Sequence, residues 1–144
     1  MLQLTKIFHF EMAHAIDGYS GACKNIHGHS YVLHVTVTGK NPVYEYIPPP
    51  GFIFDFKELK KIVSAVIIEN LDHKLVLSRN FVEKNKSIRG QDNLFIMEAE
   101  PTAENLLIYI RDSLKNYLPE GVLLAALKIY ETNSSYAEWI NRTI

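Results

Sequence analysis

The chain has 144 residues, 47% of them apolar, which is enough for one domain with a real core (residues 1–144) and too short for two comfortable ones. With 15 Lys plus Arg against 16 Asp plus Glu the net charge is -1, so no global field favours nucleic acid or an anionic membrane, and partners must be sought at a local site. A single cysteine excludes an internal disulfide, no apolar run reaches membrane-spanning length, and the start "MLQLTKIFHFEMAH" lacks a signal-peptide pattern, so the expected setting is cytoplasmic.

In residues 2–14, Leu2, Leu4, Phe8, Phe10 and Met12 occupy alternate positions, the period of a strand with one buried face, and His14 falls in phase with them. "HSYVLHVTVTGK" predicts a second strand, with Tyr31, Leu33, Val35 and Val37 on one side. Residues 39–51, with "PPP" at 48–50, predict an extended loop, because proline has no amide hydrogen for a ladder or helix.

The period then changes. Phe56, Leu59, Val63, Val66 and Ile67 recur at helical steps behind Asp55, a candidate N-cap with Glu58 three residues on, and predict a helix of about four turns. Residues 78–100 keep no period and predict a long loop with room for a short hairpin. A second helix starts near Thr102 behind Pro101 and carries Ala103, Leu106, Leu107, Ile110, Leu114, Tyr117 and Leu118 on one face, until "LPEG" ends it. From Val122 to Glu131 the chain alternates again, with Leu123, Ala125, Leu127 and Ile129 on one side, and Tyr136–Ile140 supplies a last strand after "TNSS". The order ββααββ argues for an antiparallel sheet with two helices on one face, the α+β class.

His27 and His29 are two apart on one strand, so both project to the same side with room for an ion between them. His14, at the end of the preceding strand, is the candidate third ligand. Neutral imidazoles are common zinc donors, and three of them leave a fourth position for water or substrate. The bland alternative is a set of strand-end histidines bonded to backbone carbonyls. Cys23 is compatible with a fourth ligand, a free reactive thiol or an inert buried residue. His9 and His34 are out of phase with His14 and His29 and read as surface or packing residues.

Asp72 and His73 follow the first helix, where a carboxylate can hold an imidazole in one tautomer, although a plain helix-end turn fits as well. Glu131 is in phase with Leu127 and Ile129. There a carboxylate is costly unless paired, and a ligand with two donors would satisfy it; the alternative is a solvated strand end.

"FEMAH" with His14, "C-x-x-x-H-G-H" with Cys23, His27 and His29, "FDFKELK", "LDHK", "PTAEN" and "YET" occur in one order along nearly the whole chain. In this the chain resembles the 6-pyruvoyl-tetrahydropterin synthase and 6-carboxytetrahydropterin synthase family. The resemblance implies the tunnelling fold, a homohexamer of two trimers with pterin pockets between subunits, and 7,8-dihydroneopterin triphosphate as substrate. It further implies His14, His27 and His29 as zinc ligands and Cys23 as catalytic thiol. Asp72 with His73 would be its partner dyad, Glu131 the pterin anchor, and Thr102 and Glu104 further pocket residues.

Three residues between the cysteine and "HGH" resemble the carboxy type, which releases acetaldehyde on the route to deazapurines such as queuosine. "LPEGVLLAALKIYETNSS" is closer to the pyruvoyl branch of tetrahydrobiopterin synthesis, and the carboxy product is the one expected. In the loop 78–100, Lys84, Lys86 and Arg89 are candidates to reach triphosphate, with a solvated charged loop as the alternative. A zinc hydrolase would leave Cys23 and Glu131 without a task, and a non-catalytic pterin- or metal-binding protein would need no Asp72–His73 pair.

Overall fold

β1 (Gln3–His14) and β2 (His27–Gly39) pair antiparallel along their whole lengths, from Gln3 opposite Thr38 to His14 opposite His27, in the computed structural model, which describes residues 1–144. The alternation read in the sequence sets which side of this pair is dry. Phe8, Phe10 and Met12 from β1 and Tyr31, Leu33, Val35 and Val37 from β2 lie in one core. Phe10 stacks on Tyr31 with ring centroids 5.1 Å apart. Burying each large side chain of this kind stabilises the fold by roughly 1.5–3 kcal/mol.

Helices cover that face. Asp55 caps α1 (Phe56–Val63) by accepting from the Lys57 amide at 2.7 Å, as expected of an N-cap carboxylate. The helix continues through a π-helical turn (Ser64–Ile68) into α2 (Glu69–Leu71), so the four-turn expectation holds with a widened middle. Leu59, Val63, Ile67 and Leu71 pack inward beside Leu106, Leu107, Ile110 and Leu114 of α4 (Ala103–Leu114). Thr102 caps α4, accepting from the Asn105 amide at 3.3 Å. Tyr117 and Leu118, expected on this helix, lie in the turn beyond its end.

The mixed sheet has six strands in the order β4-β3-β1-β2-β5-β6, with β5 at Val122–Thr132 and β6 at Ser135–Ile140. The α+β class and the tunnelling-fold strands β1, β2, β5 and β6, all antiparallel, are as expected. The stretch after the first helix holds more than a loop. β3 (Lys74–Ser78) runs parallel to β1, α3 (Arg79–Lys84) crosses over, and β4 (Leu94–Met97) pairs parallel to β3. Val76 belongs to the main core, whereas Leu75 and Leu77 pack with Ala15 and Val82 in a second cluster on the other face. A strand buried on both faces has no polar alternation, which is why no period betrayed it.

In β5 a register shift opposite Thr36 and Val37 changes the inward set. Leu124, and neither Leu123 nor Ala125, joins the main core, while Leu127 and Ile129 keep their expected side.

Candidate functional site

The β1–β2 register carries the site. Pairing His14 with His27 and Met12 with His29 brings three imidazoles to one end of the dry face, with their nearest ring nitrogens all within 4.8 Å of one another. His14 Nδ1 lies 2.7 Å from the Pro101 carbonyl and His27 Nδ1 lies 2.8 Å from the Asn25 carbonyl. A carbonyl can only accept, so each ring donates through Nδ1 and its Nε2 presents a lone pair. Those two Nε2 atoms stand 3.1 Å apart, and His29 Nε2 is buried with no hydrogen-bond partner. Converging lone pairs in a buried site repel unless a proton or cation lies between them. The donor set fits a metal ion, and burial supports it further by holding the His14 imidazole below the usual histidine range, in its neutral, ligating form.

Beside the triad is a cavity of about 340 Å³ whose lining includes His14, Cys23, Thr102, Glu104 and Glu131. Cys23 rides on a 3-10 turn (Ala22–Lys24) and is half-buried. Its thiol is not among the clustered donors, which leaves it available for chemistry. Glu131 is the penultimate residue of β5, its side chain 28% exposed, with Oε1 3.5 Å from His29 Nε2.

Three tyrosines outside the sequence motifs also stand at the site. Tyr31 is a core residue, as its phase in β2 predicts, and its hydroxyl lies 3.4 Å from His14 Nδ1; burial first, and then the charge of Glu131, push its phenol far above the usual tyrosine range. Its position two residues beyond His29 was the available signal. Tyr19 and Tyr136 line the cavity and are each about half-exposed.

Asp72 and His73 form a pair, His73 Nδ1 lying 3.0 Å from Asp72 Oδ1. The Glu11 amide donates to the same carboxylate oxygen at 2.9 Å, and this bond, ahead of His73, holds Asp72 below the usual carboxylate range. His73 takes the left-handed conformation (φ 60°) where the chain turns into β3. Neither Asp72 nor His73 lines the cavity that holds Cys23; His73 lines a second hollow, whose wall also includes His29, Glu11, Ser30 and Asn93. His34 packs on Tyr130, away from the triad. Lys84 pairs with Asp17 and Arg89 with Glu83, while Lys86 makes no ion pair.

A protein-family model described as 6-pyruvoyl tetrahydropterin synthase matches residues 3–141. The chain belongs to this family. Among the curated relatives, a 6-carboxy-5,6,7,8-tetrahydropterin synthase of Haemophilus influenzae is 30% identical over 143 residues, spanning 96% of this chain and 99% of the relative. The 6-pyruvoyl tetrahydrobiopterin synthase of Homo sapiens is 33% identical over 117 residues, spanning 80% of this chain and 68% of the relative. A solved 6-pyruvoyl tetrahydropterin synthase of Caenorhabditis elegans superposes with a TM-score of 0.68 at 24% identity, covering 97% of this chain and 95% of the other. An uncharacterized protein from Wolinella succinogenes superposes with a TM-score of 0.74 at 18% identity, covering 98% of each chain. At these identities the structures speak for the fold. Tetrahydropterin synthases are lyases acting on small molecules, and the chain is an enzyme of this kind. No helix is long and apolar enough to cross a membrane.

Proposed function

We propose that the chain converts 7,8-dihydroneopterin triphosphate to 6-carboxy-5,6,7,8-tetrahydropterin, releasing acetaldehyde and triphosphate, as a zinc-dependent cytoplasmic enzyme of deazapurine (queuosine) synthesis. The observation that carries this reading is the sharing of one cavity by a metal-competent histidine, a free thiol and a partly buried carboxylate: His14, Cys23 and Glu131. The relative matched along 99% of its length is a carboxy synthase, and the three-residue spacing from Cys23 to His27 agrees with that branch. The pyruvoyl product is the second reading, favoured by the human relative.

His14, His27 and His29 would hold the zinc, with two of the rings oriented by Pro101 and Asn25. When bound, zinc supplies Lewis-acid stabilisation of negative charge on a side-chain oxygen of the substrate. Glu131 offers two acceptors to neighbouring N–H donors on the pterin edge, with Thr102 and Glu104 lining the same space. Cys23 serves as base for the side-chain proton, and His73, held by Asp72, carries protons during tautomerisation. Because that dyad lies outside its own chain's cavity, a neighbouring copy supplies it in a homohexamer of two trimers. The cleavage that releases acetaldehyde consumes one water, which supplies the second carboxyl oxygen, and the chemistry needs no external oxidant.

Incubation of the zinc-loaded protein with 7,8-dihydroneopterin triphosphate tests the proposal. Acetaldehyde together with 6-carboxytetrahydropterin is the expected result. A product that retains the three-carbon side chain would assign the pyruvoyl branch, and an unconsumed substrate would reject both.

A further inference from the structure

Apart from one short 3-10 turn, the stretch between β1 and β2 that carries Cys23 has no regular structure to hold the thiol at the cavity wall. It is tied by single bonds. The Ile16 amide donates to the Cys23 carbonyl at 2.9 Å and closes the loop on itself. The Asp17 amide donates to Glu100 Oε2 at 2.8 Å, and Lys84 Nζ donates to Asp17 Oδ2 at 2.8 Å. Glu100 begins a strut that also serves the histidines. Next to it, the Pro101 carbonyl orients His14, and Thr102 lines the cavity and caps α4. The strut is itself pinned, since the Thr102 amide and Asn105 Nδ2 both donate to the Glu100 carbonyl, at 2.8 and 2.9 Å.

We propose that Glu100 is a positioning residue whose carboxylate, by accepting the Asp17 amide, sets the Cys23 turn in register with His14. Glu100 does not line the cavity, so it acts through the loop and not on the substrate. A hydrogen bond to an ionised acceptor is stronger than a neutral one, and an irregular loop released from such a tie opens locally. This inference rests on the reading of Cys23 as the reactive thiol. It also gives α3 a task, because Lys84 holds Asp17 from the other side.

The test compares Glu100→Gln and Glu100→Ala with the wild-type, zinc-loaded protein. Glutamine keeps an oxygen for the Asp17 amide and removes only the charge, whereas alanine removes both. Since Cys23 is the only cysteine, its alkylation by iodoacetamide reads this one loop. In Glu100→Ala, alkylation should be severalfold faster and kcat about tenfold lower with KM nearly unchanged, at unaltered zinc content. Glu100→Gln, which keeps a neutral acceptor, should fall between wild type and Glu100→Ala in both. Equal behaviour of the two variants, or wild-type alkylation and kcat in Glu100→Ala, would overturn the proposal. Should Glu100→Ala fail to fold, Lys84→Ala loosens Asp17 from outside the cavity and should also speed alkylation; an unchanged rate there counts against it. Alkylation needs no substrate, so failure of the wild type to turn over the pterin would reject the assigned activity while leaving the loop's positioning measurable.

Discussion

His14 Nε2 and His27 Nε2 face each other at 3.1 Å, while the Nδ1 of each ring is committed to a backbone carbonyl. This pair of aimed lone pairs is the strongest physical demand the fold makes for a cation.

Metal analysis should therefore find about one zinc per chain, with the fourth coordination position left open. His27→Ala should lose nearly all of it. Full stoichiometry in that variant would remove His27 from the site.

Cys23→Ala should keep zinc and bind pterin while losing turnover, because the thiol stands apart from the clustered donors. Loss of metal from this variant would point instead to a structural site with four ligands.

Separation of the Asp72–His73 pair from the Cys23 cavity predicts sites shared between copies. Light scattering should report a hexamer, and a monomer at micromolar concentration would count against shared pockets. Co-assembly of Cys23→Ala with His73→Ala, each inactive alone, should restore part of the activity. A mixture as inactive as its parents would place the dyad's work within one chain.

Glu131→Gln keeps the shape of the anchor but sets an NH2 group against one pterin donor. Calorimetry with a product-like pterin should show binding weakened by roughly 1–3 kcal/mol, the cost of an unsatisfied buried group, with zinc content unchanged. Equal affinity would free Glu131 from recognition.

Asp72 has its carboxyl held below the unfolded value of 3.8, chiefly by the Glu11 amide. A depressed carboxyl binds its proton more weakly in the folded state. Its stabilising contribution is therefore present above that unfolded value and is lost as pH falls through the lower folded one. Acid unfolding followed by circular dichroism should be shallower in Asp72→Asn, with little change near neutral pH. Superimposable acid limbs would show that the Glu11 bond adds no pH-dependent stability.

The local pattern in the sequence was enough for β1, β2, α1 and α4, because alternation and helical spacing record which face of an element meets water. Phase also placed His14 with the apolar residues of β1, Glu131 with Leu127 and Ile129 of β5, and His27 and His29 on one side of β2, before any pairing was known. Pairing itself was not legible. Only the antiparallel register of β1 on β2 sets His14 against His27, and only the crossover through α3 turns residues 74–97 into two parallel strands, one of them apolar on both faces. The contacts of Glu100 with Asp17, and of Pro101 with His14, join residues 83 and 87 positions apart. No periodicity can report them, because a local pattern encodes only exposure, whereas the distances that make a site are set by how the chain closes on itself.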